Sequence, residues 1–445
     1  MPTDYTPYPW QTRFWNRWDR TGSRRILISA PTGAGKTMAA EKLFDQYPQV
    51  VISGPGMSLE PWMRDVPSLA YIDQGPRKAM SKKAAARIEA ALNAPVVFMT
   101  PQVLQKWADK LPKLSRRLLV SDEAHMYDDP ATQRSEWLCR YLTDRPQVDF
   151  LPLTATFLRK EVQDVWSLGN IMCPEQFPGV WKEGEHRRIS FSFLSKFCQR
   201  DPDMGFFFGA RLDKLPELKE RLRNFVEFVE PEEVLLSAPK AQISLTSMPR
   251  EELIDDIATS LAESKCVMFE HVAVAEAYAA QLGWPCYHSD NSTTAQRVAA
   301  IDRLRTDYQA GKQANFVGCW RSFQESVDLA WVEKTLLFEP PTTPGQVEQL
   351  MGRWERPSLA QRVPAIVSIE ASPSAMKRLG VLQERSSQAD GVQGISPKVA
   401  GLLAAVKTKQ FAPVVLALAA DYDADIDYAI RMIDGEYDDE SGDFG

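Results

Sequence analysis

The chain has 445 residues, too many for one ordinary core, and its 44% hydrophobic and 25% charged residues suit a soluble globular protein of two domains plus appendages. No run of 18 apolar residues occurs and the N-terminus, MPTDYTPYPW, lacks a basic segment followed by an apolar one, so neither a membrane span nor a secretion signal is expected. The net charge of −7 is uneven: residues 421–445 hold ten acids and one base, which leaves the first 420 residues at +2, a balance compatible with a local nucleic-acid surface.

In chain order, ILIS (26–29), VVIS (50–53), VVFM (96–99), LLVS (118–121) and FLPL (150–153) read as buried strands with helices between them. Such alternation predicts an α/β fold, a parallel sheet with helices on both faces and ligands at the carboxyl ends of its strands. Residues 157–240, rich in aromatics and charge and helical around Leu215 to Val229, read as a mainly helical insertion. A second series follows in CVMF (266–269), PCYH (285–288), NFVG (315–318), TLLF (335–338) and AIVS (365–368). The expected organisation is a nucleotide-binding lobe at 1–160, the insertion at 161–240, a second lobe at 241–375, C-terminal helices at 376–433 and an acidic, disordered tail at 434–445. Six scattered cysteines without a C-x-x-C pair argue against a zinc site and suit a reducing cytoplasm.

Three strings carry chemistry. Residues 30–37 read APTGAGKT after the first strand, a P-loop in its confirming context. Pro31, Thr32, Gly33, Ala34, Gly35, Lys36 and Thr37 are expected to cradle the phosphates of ATP, with Lys36 as the cation and the Thr37 hydroxyl on Mg2+. DEAH follows the fourth predicted strand: Asp122 is expected to hold the same Mg2+ and Glu123 to polarise the attacking water. The string QLMGRWER (349–356) places Arg353 and Arg356 three apart, on one face of a helix. From across a cleft, such arginines could stabilise the charge of a transferring γ-phosphoryl group.

Together these strings resemble the superfamily-two helicases, whose two tandem RecA-like lobes imply the fold expected here. The resemblance places Gln11, 25 residues before Lys36, as the reader of adenine. His125, the Thr154-Ala155-Thr156 turn, Glu325 and Asp328 of ESVDL, and Gln349 fall on its coupling motifs. The segment LTATFLRKEVQDVWSLGNIMCPEQFPG (153–179) narrows it to the SWI/SNF-type ATPases, and FLSKFC, GARLDKLPEL, KCVMFEH and HSDNSTTAQR follow in that family's order. Departures are Glu227 where a base is usual, Ser326 for a glycine, and Pro357 after Arg356. No chromatin-reading domain is recognisable.

The resemblance also implies DNA contacts at Ser53, Gly54 and Thr100, and the charge of the basic helix Lys82, Lys83 and Arg87 suits additional duplex contacts. The alternating Asp421, Asp423, Asp425 and Asp427 lack the glycine and glutamate of a calcium loop and read as solvated. The acidic tail could recruit a protein partner. The expectation is a cytoplasmic, monomeric, ATP- and Mg2+-dependent translocase on duplex or branched DNA. Its rivals are a strand-separating DNA or RNA helicase, the motor subunit of a nuclease, restriction or repair complex, and a scaffold built on a decayed ATPase.

Overall fold

The computed structural model describes residues 6–21, 24–73, 75, 81–159, 161–180, 188–202, 204–230, 233–234, 241–246, 248–323, 327–354, 366–395 and 397–407. The chain divides into two compact units, lobe 1 (1–236 with 387–394) and lobe 2 (237–386 with residues from Ile395 onward).

Lobe 1 is built on β1 (Leu27–Ser29), β2 (Val50–Ser53), β3 (Ala70–Ile72), β4 (Val96–Met99), β5 (Arg117–Ser121) and β6 (Val148–Thr154). Two small antiparallel pairs follow, β7 (Gly179–Val180) with β8 (Arg188–Ile189) and β9 (Gln199–Arg200) with β10 (Phe207–Phe208). Strand β11 (Val226–Phe228) then returns to the main sheet, whose order is β11-β1-β6-β5-β2-β4-β3, parallel throughout. The pleat explains the continuous apolar runs, because successive side chains enter different cores. Leu27, Val51 and Leu119 pack on one face with Trp107 and Trp166, while Ile28, Ile52 and Val120 pack on the other with Trp10, Phe14 and Trp18. Those last three lie four residues apart, one stripe of the helix Pro9–Arg20.

The expected strands of lobe 1 are all present, and two more, β3 and β11, join the main sheet. β3 was hidden by its shortness and by the exposed Tyr71 on it. Where the sequence suggests a helix from Leu215 to Val229, the helix stops at Leu222 and Val226–Phe228 pairs with β1. The F-V-E-F alternation suits a strand, and that preference emerges only once β1 offers an edge. Glu227, the residue found where a base is usual, is 5% exposed and bonded by Arg13 Nε at 2.6 Å and Arg17 Nη1 at 3.1 Å. It fastens helix Pro9–Arg20 to β11. Glu227→Ala is expected to destabilise lobe 1 by about 2 kcal/mol through two lost charge-assisted bonds, read as a lower thermal midpoint; an unchanged midpoint would exclude this role.

Lobe 2 contains β12 (Gln242–Thr246), β13 (Ser264–Phe269), β14 (Cys286–Tyr287), β15 (Ala314–Cys319), β16 (Lys334–Leu337) and β17 (Ile366–Glu370). Their order is β12-β17-β16-β13-β15-β14, again all parallel. Cys266 and Met268 enter one core, Val267 and Phe269 the other. The unpredicted β12 is an edge strand whose residues are mostly exposed or half-buried. Glu270, just past β13, meets Arg321 and Arg378, whose charges hold its carboxyl below the usual range against the opposing effect of burial. Helices Pro373–Gln393 and Pro397–Lys407 close the described chain. The remaining expected C-terminal helix, the aspartates at 421–427 and the acidic tail lie outside the described residues. Burial pushes the thiols of Cys198 and Cys266 up to about 12, so both behave as apolar core groups.

Candidate active site

The carboxyl ends of four adjacent strands, β1, β6, β5 and β2, carry the sequence strings of lobe 1. The P-loop leaves β1 and enters the helix Lys36–Glu41. Gly33 at φ 84° and Gly35 at φ 80° hold the left-handed conformation that other residues adopt at a cost, and Gly35 is the helix N-cap. Lys36 Nζ donates to the carbonyls of Ala30 at 2.8 Å and Pro31 at 3.1 Å, within the arc of the loop. Thr37 is the second residue of that helix. Backbone amides at a helix N-terminus beside a cation form a cradle for phosphate.

Gln11 is fully buried and sits on this loop, its Nε2 donating to the Gly35 carbonyl at 3.0 Å. Its Oε1 accepts from Tyr8 N at 2.9 Å and so caps its own helix. The same side chain thus orders the segment expected to meet adenine and ties it to the phosphate loop.

Asp122 follows β5, and its amide donates to the Ser53 carbonyl at 2.7 Å. Trp62 Nε1 donates to Asp122 Oδ2 at 3.1 Å, and the Glu123 amide to Oδ1 at 3.0 Å. Burial raises the proton affinity of Asp122, the charge of Glu123 raises it further, and bonds from Ser58 and Trp62 with the nearby Lys36 charge oppose this. A divalent cation would reverse that balance, and this donor set suits one. Glu123 itself has φ 50° and ψ 52°, a strained conformation for a glutamate, with His125 Nδ1 at 3.1 Å from its Oε2.

Residues 8–165 match the model of the DEAD/DEAH box helicase family. This segment is a DEAD/DEAH box helicase domain. No curated protein matches the chain. Among solved structures it is similar to S. cerevisiae Dbp5 bound to RNA and ADP BeF3, at 15% identity over 85% of this chain and 88% of that one, with a TM-score of 0.52. A Sulfolobus solfataricus SWI2/SNF2 ATPase core in complex with dsDNA aligns at 14% identity over 83% and 88%, with a TM-score of 0.41. The fold is therefore the tandem RecA-like one, and the chain is an ATP-hydrolysing enzyme.

Within the helicase domain, Thr154 and Thr156 are buried at the end of β6. Thr154 Oγ1 donates to the Thr156 carbonyl at 2.9 Å and accepts from its amide at 3.1 Å, closing a tight turn. The Thr154 carbonyl accepts from Ala30 N at 3.1 Å, so this turn is one hydrogen bond from the P-loop. Ser53 is 1% exposed, and Gly54 lies so close to Asp122 that an added Cβ would meet its Cβ at 3.1 Å. This pair positions the Asp122 backbone and Cβ. Thr100 precedes the helix Pro101–Trp107. Lys82, Lys83 and Arg87 are exposed on the helix Lys82–Leu92, with Arg87 3.6 Å from Asp73.

In lobe 2, Gln349 and Arg353 are buried, but they do not share a helix. The helix Pro344–Met351 ends at Gly352, and Arg353 occupies the turn beyond it, its carbonyl accepting from Leu329 N at 3.0 Å. The expectation of a helical arginine pair is corrected at Arg353: past Met351 the chain tightens, with Arg353 N donating to the Leu350 carbonyl at 2.9 Å and Trp354 N to the Met351 carbonyl at 3.1 Å. Arg356 and Glu325 lie outside the described residues. Asp328 is half-buried, its Oδ1 accepting from Ala330 N at 3.0 Å.

Sequence reasoning missed Trp62, which shares Asp122 with the metal-site geometry from 60 residues away. It also missed the Gln11–Gly35 bond. Neither has a local signal, since both are contacts between separate elements.

Proposed function

We propose that the chain is an ATP- and Mg2+-dependent translocase acting on duplex or branched DNA. The observation that carries the nucleotide half is the convergence of Lys36, Asp122, Glu123 and the Thr154–Thr156 turn at adjacent strand ends, with one hydrogen bond from the turn to the P-loop. Thr37 and Asp122 are assigned to Mg2+, Lys36 to the β and γ phosphates, Gln11 to adenine and Glu123 to the attacking water. Arg353 and Arg356 are assigned to the charge on the γ-phosphoryl group. His125, Thr154, Thr156, Glu325, Asp328 and Gln349 are assigned to coupling.

DNA as the track is supported by the SWI/SNF-type order of segments from 153 to 198. Lys82 and Lys83 open a helix, where the macrodipole disfavours cations, so an anionic partner would relieve them. Thr100, which is half-buried, is proposed to approach phosphates through its hydroxyl, whereas Ser53 and Gly54 are buried against Asp122. A strand-separating RNA helicase is the second reading, because Dbp5 is seen with RNA. ATP turnover measured with duplex DNA, forked DNA, single-stranded DNA and RNA separates them. Stimulation by duplex or forked DNA above single strands is expected; stimulation by RNA alone would replace this reading with the second.

A further inference from the structure

We propose that Gln393 is a positioning residue for the coupling turn, acting on the backbone just after Thr156; this rests on assigning Thr154 and Thr156 to coupling. Gln393 is the last residue of the helix Pro373–Gln393, and its segment belongs to lobe 1 although it arrives about 150 residues after the rest of that lobe. Its Oε1 accepts from two consecutive amides, Phe157 N and Leu158 N, each at 2.9 Å.

Those two residues need an outside partner. The Thr154 hydroxyl bonds both backbone groups of Thr156, which closes the turn, but the chain then runs inward with Phe157 1% and Leu158 0% exposed. Water cannot readily serve amides in such a place, and no strand continues to pair with them. A carboxamide oxygen has two lone pairs and so takes both.

The helix end is fixed well enough to hold that oxygen still. Ala389 and Val392 are buried in the same core as Phe157 and Leu158. Gly391 permits close approach, since a Cβ there would lie 2.5 Å from Leu215 Cδ1, and Gly394 at φ 81° ends the helix directly after the glutamine. A path of hydrogen bonds and backbone thus runs from Gln393 through residues 157–158 and the Thr154–Thr156 turn to Ala30 and the phosphate loop. Gln393 touches neither nucleotide nor metal-site residues. It sets the conformation in which the turn meets the P-loop.

The test compares full-length wild type with Gln393→Met, which keeps the length and removes the acceptor, and Gln393→Glu, which keeps an acceptor. Hydrogen exchange of residues 154–158 is measured together with basal and nucleic-acid-stimulated ATP turnover and the KM for ATP. For Gln393→Met we expect faster exchange confined to 154–158 and about tenfold lower stimulated kcat, with basal kcat and KM within about twofold of wild type. Gln393→Glu should restore both. Wild-type stimulation in Gln393→Met overturns the proposal, as does a parallel loss of basal and stimulated turnover with exchange rising throughout lobe 1, the mark of a purely structural cap. If no nucleic acid stimulates the wild type, the translocase reading fails by itself; unchanged exchange at 157–158 in Gln393→Met would then still overturn the clamp, and accelerated exchange there would support it.

Discussion

Glu123→Gln is expected to lower ATP turnover by about 10²- to 10⁴-fold while leaving ATP affinity within a few-fold of wild type. Glutamine preserves the size of the side chain and can occupy the same left-handed backbone position, so the site should keep its shape. What is lost is the acceptor for a proton from the attacking water. The proposed role of Glu123 is consistent with its strained backbone after β5, the imidazole 3.1 Å away and the neighbouring carboxylate bonded to its amide. Steady-state turnover alongside an ATP dissociation constant makes the check. Near-normal turnover would remove Glu123 from the chemistry.

Lys36→Ala is expected to act differently, weakening ATP binding and turnover together. A lysine that gives up two carbonyl partners for phosphate oxygens makes bonds worth about 1.5–3 kcal/mol each, so kcat/KM should fall by about 10²-fold or more. The fold should survive, because Gly35 rather than Lys36 caps the following helix, and the Lys36 bonds to the Ala30 and Pro31 carbonyls lie within the loop itself. Lys36→Arg should not rescue activity, since the planar fork of arginine does not replace a compact ammonium in a tight loop. Retained kcat/KM in Lys36→Ala would show that the loop binds something other than a triphosphate.

The two variants separate the roles that one sequence motif cannot. Glu123 should affect kcat with little change in binding, and Lys36 should affect both. A shared collapse of folding would appear as a lowered thermal midpoint in either protein.

Much of lobe 1 was legible because its signals are local. A strand buried on both faces is apolar over most of its length, so VVIS and LLVS announce themselves. A phosphate loop must have glycine where φ is positive, which makes APTGAGKT visible in eight residues. The strands that escaped notice lack such a local mark. Ala70–Ile72 and Gln242–Thr246 lie at sheet edges with exposed side chains, and Val226–Phe228 becomes a strand only by pairing with β1. The helical arginine pair failed beyond Gly352, where Arg353 N and Trp354 N bond the carbonyls of Leu350 and Met351, a tighter turn in place of a further α-helical one.

The sequence by itself determined two parallel α/β sheets, a triphosphate loop and a carboxylate pair, because hydrophobic pattern, glycine placement and charge act over a few residues. Tertiary structure alone decided that Gln11 grips the phosphate loop, that Trp62 bonds Asp122, that Glu227 is held by Arg13 and Arg17, and that Gln393 caps the backbone after Thr156. Each is a polar contact between elements from 24 to 236 residues apart. No local preference encodes such a contact; it exists only after apolar burial has brought the two elements together, and a buried donor or acceptor then has to find the partner that packing supplies.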